Sequence, residues 1–498
     1  MVEGARQHSG IAAWLQRFAP WTGALLVIAW LPFLTRRLLS TDDYTLISAR
    51  GLGETPQWML TQGRFVGASL HVLATWLGLD PVRSAPAAGL VAIGLCVLSG
   101  FLLTRLWQVP GERFALTVLV AVLPFVHPLE GEVWTFRLAP LHVQAGIALA
   151  LGGLVLARRE APRSRLAGIA LLTAALGTYQ VALNVALVVI GMGAAIAVCG
   201  AQDESLRGEL VAWARALVAL VLAGLAWLLI SRGLLAALGL KPEYRNGLIG
   251  LTELPARVHD VTKALARVAF RERQLSTPLL IGLQLALAAV ALASMAWRAS
   301  RERLQAAVLI ALLVALSLCG TVGVLALIKN FEAAPRMLIA AGFLWAGLLV
   351  LAAQATQAVW VTRAALAIAC GCVIGYVGVN HRLADEVARL NQRDAAVAAR
   401  VLARFESDPR AASLARVVTI GHSINYDDLP TVANFIAPSA LAVPWSQAPL
   451  FSGLAQRPLA TATDEDVETA TRLCAAASKW PATDSTRVTD TGLGVVCF

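Results

Sequence analysis

The sequence predicts a polytopic α-helical membrane protein with about eleven transmembrane helices and a small α/β domain at its C-terminal end. Three observations support this prediction: few charged residues, apolar runs long enough to cross a bilayer, and arginines gathered in the short loops between those runs. Of 498 residues, 58% are hydrophobic and 14% are charged, whereas about a quarter of the residues in soluble domains are charged. The composition therefore excludes that the chain as a whole is a soluble globular protein.

The apolar runs are about 18 to 25 residues long, enough for a helix to cross a hydrocarbon core of roughly 30 Å. They include Leu210–Ile230, Pro278–Trp297, Leu304–Ile328 and Met337–Ala355, and Leu166–Val198 is a longer apolar run. Backbone groups in lipid must pair within their own segment, and strand-like alternation is absent, so we expect helices. Leu166–Val198 is too long for one span, and we expect a helical hairpin that turns at Gly177–Gln180.

The N-terminal segment predicts a first transmembrane helix that is not removed. Arg6 and Arg17 precede the apolar stretch Ala19–Leu34, and no small-residue cleavage site follows it. With the N-terminus in the cytoplasm, each short cytoplasmic loop holds one or more arginines, as the positive-inside rule requires. These are Arg105, Arg113, Arg158, Arg159, Arg163, Arg165, Arg207, Arg298, Arg301, Arg303 and Arg363. Topology and anionic lipid explain the net charge of +10, and nucleic acid is not an expected partner.

The long outer loop Ser231–Ser276 holds eight basic residues, against the charge bias, although long loops count less in that rule. Within it, Leu254, Val258, Val261, Leu265 and Val268 recur at helical spacing, with Arg257, Lys263 and Arg267 on other faces. An amphipathic helix on the outer leaflet and an ordinary solvated helix both fit this pattern.

The composition changes after His381 and becomes that of a soluble protein. We expect residues 1–380 to form the membrane domain and residues 381–498 a soluble domain outside the membrane. Leu383–Phe405 predicts an amphipathic helix, and Val417–Gly421 a buried strand followed by a turn. Cys474 and Cys497 could pair in an oxidising compartment. The other five cysteines lie in apolar spans as packing residues, and no zinc-ligand spacing occurs.

Polar residues collect in the loops predicted at the outer face. They are Asp42, Asp43, Arg50 and Arg64 after the first span, Glu130, Glu132 and Arg137 after the third, Tyr179 and Gln180 after the fifth, and Asn330, Glu332 and Arg336 after the ninth. Each has a simpler explanation: an N-cap at Ser40 or Thr41, arginines that reach lipid headgroups, or a polar loop. Together, carboxylates and arginines on one membrane face suit a reaction that removes a proton while a phosphate leaves.

The order of these motifs resembles the GtrII-type glucosyltransferases, membrane enzymes of the wider GT-C glycosyltransferase class. The resemblance rests on Thr41-Asp42-Asp43, on Gly63-Arg64, on the glutamate segment that ends at Arg137, on Leu176–Gln180 and on Asn330–Arg336. It covers roughly residues 15 to 380 and not the tail. Two features depart from the family pattern: Arg50 follows the acidic pair at a longer distance, and the tail exceeds what the family core needs.

The resemblance implies an inverting transferase that takes a hexose, usually glucose, from a polyprenyl-phosphate-linked donor. The acceptor would be a polysaccharide or lipid-linked glycan, such as O-antigen, at the periplasmic face of a bacterial inner membrane. Asp43, or Asp42 assisting it, would be the general base. Arg64, Arg137 or Arg336 would bind the donor phosphate. Glu130, Glu132, Tyr179 and Gln180 would bind substrate, and a divalent metal ion is compatible with the scheme but not required by it.

Three other functions fit the same architecture. A transporter or flippase of a lipid-linked glycan would place charges within the spans, whereas here they collect at one face. Another GT-C enzyme would move mannose, arabinose or another sugar. A subunit without catalysis would tolerate substitution of both aspartates. In the tail, Asn425–Asp428 fits a surface turn better than a second site.

Overall fold

The computed structural model is a bundle of α-helices that carries a small α/β unit at its C-terminal end. It describes residues 11–47, 49–79, 82–200, 203–243, 249–266, 275–302, 304–331, 333–354, 358–421, 426–434 and 439–498. Each apolar run named from the sequence contains a helix. The bundle is therefore made from the segments that hydropathy alone selects.

The helices of the bundle, in chain order, are α1 (Ala19–Thr35), α2 (Thr41–Ile47), α3 (Ala49–Thr61), α4 (Phe65–Trp76), α5 (Ala85–Leu106), α6 (Phe114–Val126), α7 (Gly131–Thr135), α8 (Ala139–Ala157), α9 (Pro162–Thr178), α10 (Ala182–Gly200), α11 (Asp203–Ala237), α12 (Leu254–Ala266), α13 (Pro278–Glu302), α14 (Leu304–Val322), α15 (Ala340–Gln354) and α16 (Val359–Glu406). The C-terminal unit adds β1 (Arg416–Ile420), α17 (Pro444–Ala455), α18 (Asp464–Ala476), β2 (Thr486–Val488) and β3 (Leu493–Cys497).

The number of spans differs from the sequence-based count. Seven helices among the described residues are long and apolar enough to cross a membrane, or eight if Ile11–Arg17 and α1, which meet at a bend of 49°, form one span. The helices α4, α14 and α15 are apolar but have only shorter apolar segments. The ninth predicted span ends at Val322, not Ile328, because Gly323 takes a positive φ of 36° and a short 3-10 turn follows. Eleven full spans are therefore not confirmed.

The predicted break in the run Leu166–Val198 is confirmed, although the two helices on either side of it pack mainly against other helices and not against each other. Helix α9 ends at Thr178, Tyr179 is extended, and α10 begins at Ala182. Gly177, in the last turn of α9, lets Phe65 of α4 pack closely, because a Cβ there would lie 2.6 Å from the Phe65 ring.

The loops divide between two ends of the bundle, as the charge pattern indicates. At one end Arg158 pairs with Glu209 at 2.5 Å and donates to the Leu106 carbonyl, while Arg113 donates to the Ala353 carbonyl. The loops that hold the candidate site residues meet at the other end. Helix α8, 19 residues long and so about 28 Å in length, separates Arg158 from Arg137.

Helix α16 runs without a break for 48 residues, through the expected boundary at residue 380. Its second half contains the predicted amphipathic segment Leu383–Phe405, which is therefore a continuation of the last apolar helix. The C-terminal unit folds against this half, so it follows the membrane bundle without a linker.

The sheet of the C-terminal unit has the strand order β1-β3-β2, with β1 and β3 parallel and β2 and β3 antiparallel. The strand predicted at Val417 is β1, and the turn after it is at Gly421, where φ is +80°. Cys474 at the end of α18 and Cys497 in β3 form a disulfide, as the sequence suggests.

Two details differ from the sequence interpretation. Arg257 of α12 does not face outward: it is buried and donates to the carbonyls of Leu325 and Lys329. Its guanidinium also lies 4.8 Å from the centre of the Phe331 ring. Of the five unpaired cysteines, Cys319 and Cys370 are exposed on the bundle surface and not packed in its core.

The disulfide gives a direct prediction. In protein purified from cells without reductant and then unfolded, we expect five of the seven cysteines to react with an alkylating reagent, as counted by mass spectrometry. Replacing Cys474 and Cys497 by serine should lower the free energy of unfolding of the C-terminal unit by about 3 kcal/mol, since the bond closes a loop with a sequence separation of 23. Seven reactive thiols in the wild-type protein would contradict the assignment.

Candidate active site

The candidate residues meet where four loops come together at one end of the bundle. These loops follow α1, α3, α7 and α9, and the segment before α15 joins them. Contacts tie them in pairs: Arg137 to Asp43, Arg64 to Gln180, and Arg336 to Glu132. Residues far apart in sequence thus form one polar region.

Asp43 is buried, with 1% of its surface exposed, and both carboxylate oxygens accept hydrogen bonds from the protein. Oδ2 accepts from the backbone N–H and hydroxyl of Ser40 at 2.8 and 2.9 Å. The Ser40 hydroxyl in turn accepts from the Asp43 N–H at 3.3 Å, which completes a capping box at the start of α2. Oδ1 accepts from the backbone N–H of Arg137 at 2.9 Å. The N-cap explanation therefore holds for Asp43.

Burial raises the pKa of Asp43 to about 7, and the hydrogen bonds from Ser40 and Arg137 oppose this rise. The negative charge of Asp42 adds a small further increase. Asp43 therefore titrates near neutral pH at a position where its oxygens are already used.

Arg137 closes the loop that follows α1. Its Nε donates to the Leu38 carbonyl at 2.5 Å, Nη1 to the Phe33 carbonyl at 3.2 Å and Nη2 to the Arg36 carbonyl at 2.6 Å. These carbonyls lie at and just beyond the end of α1, where helical partners run out. Arg137 is 8% exposed, and its guanidinium donates to three backbone carbonyls, so its role here is to stabilise the backbone after α1.

Asp42 differs from its neighbour because it is partly exposed. Its charge acts on Arg64: burial lowers the pKa of Arg64, and the negative charges of Glu243 and Asp42 oppose that change. The positive charge of Arg336 lowers the same pKa. Asp42 thus lies in one electrostatic neighbourhood with both arginines.

Arg64 is held by its Nε and by aromatic faces. Nε donates to Gln180 Oε1 at 3.3 Å, and the guanidinium carbon lies 4.5 Å from the centre of the Tyr179 ring and 6.0 Å from that of Trp58. Gln180 is fixed in turn by its own donation to the Gln62 carbonyl at 2.5 Å. In the part of the chain that the structure describes, Nη1 and Nη2 of Arg64 donate no hydrogen bond to protein. These groups are therefore available to an anion.

Arg336 and Glu132 form an ion pair in which Glu132 is buried and Arg336 is partly exposed. Glu132 is 1% exposed, and its two oxygens accept from Arg336 Nη1 at 2.5 Å and from the Arg336 backbone N–H at 2.8 Å. The Arg336 side chain keeps 23% of its surface exposed and lies 5.4 Å from the ring of Phe136. Glu132 therefore orients Arg336 and does not present a free carboxylate.

Glu130 is completely buried beneath these loops. Its Oε2 accepts from Gln144 Nε2 at 3.1 Å, while Oε1 has no partner among the described residues. His127 Nε2 and Gln144 Oε1 are also buried without a partner in that part of the chain. This polar group packs inside the bundle and does not reach the surface where Asp42 and Arg64 lie.

Sequence reasoning missed three contributors. Trp58 and Phe136 support the two arginines, and aromatic residues near a membrane boundary give too general a signal to identify them. Asn391, on α16, binds the loop before Asp42, and nothing in its local sequence points to a partner so distant in the chain. The side chain of Arg50 and residue Glu332 lie outside the described part. Across the described ranges, no three His, Cys, Asp or Glu residues converge as metal ligands.

Asp43 gives a pH-dependent prediction. Its folded-state pKa of about 7 exceeds the ordinary 3.8, so the folded protein holds a proton that the unfolded chain releases. Stability should therefore fall as pH rises from about 4 to about 7, by on the order of 4 kcal/mol. Asp43→Asn should remove this part of the pH dependence of thermal unfolding in detergent, and Asp42→Asn should keep it. Identical pH profiles for wild type and Asp43→Asn would contradict the assignment.

Comparison with known proteins supports one family. Residues 31–374, well over half of the chain, match the family model described as glucosyl transferase GtrII. No curated protein and no solved structure matched the chain. The match begins in α1 and ends in α16, so it includes every loop of the candidate site. The chain therefore belongs to the GtrII glucosyltransferase family.

Proposed function

We propose that this glucosyltransferase moves a glucosyl residue from a polyprenyl-phosphate-linked donor to a polysaccharide or lipid-linked glycan, with inversion at the anomeric carbon. The observation that carries the proposal is a partly exposed carboxylate, Asp42, whose charge acts on Arg64, an arginine with terminal nitrogens that donate no hydrogen bond to the described protein. Such a pair supplies a base for the acceptor and a cation for a phosphate leaving group.

Asp42 acts as the general base in this mechanism. The acceptor hydroxyl oxygen attacks the anomeric carbon and forms the new C–O bond, while its proton passes to Asp42. The bond from the anomeric carbon to the phosphate oxygen breaks, and its electron pair stays with the departing polyprenyl phosphate. Asp42 is preferred to Asp43, the aspartate favoured from the sequence, because Asp43 is buried and its oxygens already accept three hydrogen bonds.

Arg64 and Arg336 bind the donor phosphate. Arg64 offers two NH2 groups, and the ring of Tyr179 fixes its plane. Arg336 is oriented by Glu132 and adds positive potential at Arg64. Charge-assisted hydrogen bonds from both residues become stronger as negative charge develops on the leaving phosphate.

The position of Trp58 supports arrival of the phosphate from the membrane. Its ring neighbours Arg64 and is 46% exposed, and exposed tryptophan is enriched at the level of lipid headgroups. A donor with its polyprenyl chain in the bilayer carries its phosphate at that depth. The lipid tail therefore delivers the reacting bond to Arg64 without leaving the membrane.

Arg137, Asp43 and Glu132 are positioning residues in this scheme. Arg137 holds the end of α1, Asp43 caps α2, and Glu132 holds Arg336. Tyr179 and Gln180 act through Arg64. Of the residues first assigned to substrate, Glu130 has no route to the donor because it is buried inside the bundle.

The reaction takes place at the periplasmic face of a bacterial inner membrane, with the N-terminus in the cytoplasm. Two features support this side: arginines gather at the opposite end of the bundle, and the C-terminal unit contains a disulfide. The positive-inside rule and an oxidising compartment account for them together. Residues 381–498 then form a periplasmic domain beside the site.

The first test of this mechanism substitutes the aspartates. In cells that lack the native gene, Asp42→Asn should abolish the glucosyl substituent on the surface glycan at wild-type protein levels in the membrane, a loss of about 100-fold or more in kcat. Asp43→Asn keeps a polar side chain of the same shape and should retain measurable transfer. Glycan mass spectrometry and in vitro turnover with polyprenyl-phosphate glucose measure both variants. Normal glycosylation in Asp42→Asn would refute Asp42 as the base.

The second test addresses phosphate binding. Arg64→Lys keeps the charge but loses the planar pair of NH2 groups and the bond to Gln180, so we expect donor KM to rise and kcat to fall, with a combined loss of roughly 10- to 100-fold. Arg215→Lys is the matched control, because Arg215 pairs with Glu160 at the opposite end of the bundle. Equal donor kinetics for both lysine variants would exclude Arg64 from the phosphate site.

A further inference from the structure

The hydrophobic core of the C-terminal domain includes residues from the aspartate loop. Leu39 and Tyr44, which flank Ser40–Asp43, are 9% and 7% exposed and pack with Phe405 of α16 and Phe451 of α17. Helix α2 lies directly against α17. The segment that carries Asp42 is therefore built into the C-terminal domain on both sides of the carboxylate.

Asn391 adds a specific polar contact to this apolar packing. Its side-chain Oδ1 accepts from the Leu39 N–H at 2.9 Å, and its Nδ2 donates to the Leu39 carbonyl at 2.9 Å. One side chain thus satisfies both backbone groups of the residue before Ser40. Because Ser40 caps α2 through Asp43, the position of Leu39 fixes the start of the helix that presents Asp42.

The same stretch of α16 is fastened to the C-terminal domain. Glu386 accepts from the backbone N–H groups of Thr431 and Val432 at 2.7 and 3.0 Å. Asp394 accepts from the Ser439 hydroxyl at 2.9 Å and the Ala440 N–H at 2.7 Å. All four contacts are buried, so they hold this part of α16 firmly against the domain.

We propose that the C-terminal domain positions the catalytic carboxylate, with Asn391 as the positioning residue that couples α16 to the aspartate loop. This inference rests on the proposed role of Asp42. The donor phosphate contacts come from Arg64 and Arg336, which other loops hold. Loss of Asn391 should therefore affect the attack step and leave donor binding intact.

The test measures backbone protection and kinetics on the full-length protein in detergent. In Asn391→Ala, hydrogen–deuterium exchange at the Leu39 and Ser40 amides should become faster, kcat should fall about tenfold, and donor KM should stay unchanged. Asn391→Asp keeps an acceptor for the Leu39 N–H but has no N–H for its carbonyl, so its kcat should lie between those of wild type and Asn391→Ala. This variant also decides the question if Asn391→Ala folds poorly.

Arg393→Ala is the matched control. Arg393 lies on the same stretch of α16 and pairs through both terminal nitrogens with Asp428 at the surface of the domain, away from Leu39. It should keep wild-type exchange and kcat. The inference is overturned if Asn391→Ala and Asn391→Asp exchange and turn over like the control, or if their loss lies in donor KM. Transfer by Asp42→Asn would refute the base instead, while the exchange data would still report the coupling.

Discussion

The site depends on the buried carboxylate of Asp43, which joins its own loop to the loop of Arg137 and, through Arg137, to the end of α1. Asp43 binds Ser40 in its own loop and the backbone of Arg137 from a loop 94 residues away. Arg137 then uses its guanidinium to hold the end of the first helix. Without this carboxylate, the buried donors of Ser40 and Arg137 would lose their partner, at a cost of about 1–3 kcal/mol for each group. Asp42 can stay partly exposed because the neighbouring Asp43 makes the buried contacts that hold the loop in place.

Two arginines in this molecule donate hydrogen bonds to backbone carbonyls that lack a helical partner near the end of a helix. Helices that end near a membrane boundary leave carbonyls without helical partners, and water is scarce there. Arg137 satisfies the carbonyls after α1, and the buried Arg257 satisfies those of Leu325 and Lys329 after α14. Both arginines resemble ligand-binding residues in a sequence, although their donors face protein. The contacts of each guanidinium, and not its place in a loop, distinguish Arg64 from them.

Sequence predicted the parts of the fold that follow from periodicity and local chemistry. Hydropathy located the helices, Gly177–Gln180 marked the break between α9 and α10, and the apolar run at Val417 marked the strand. The number of full spans was not predictable in this way, because α4, α14 and α15 are apolar but short, and their packing depends on neighbours. The gathering of acidic and basic loops at one end was predictable from loop charges. The difference in burial between Asp42 and Asp43 was not, since Asp43 is held by the backbone of Arg137, a contact across 94 residues that no local pattern encodes.

The unbroken helix α16 has a mechanical consequence. At 1.5 Å per residue, its 48 residues extend about 72 Å, against a hydrocarbon core of roughly 30 Å. The helix is therefore more than twice as long as that core is thick, and its C-terminal half carries the C-terminal unit without a break in the helix. In the proposed mechanism, an acceptor glycan therefore reaches Asp42 beside a domain whose position is set by this single continuous helix.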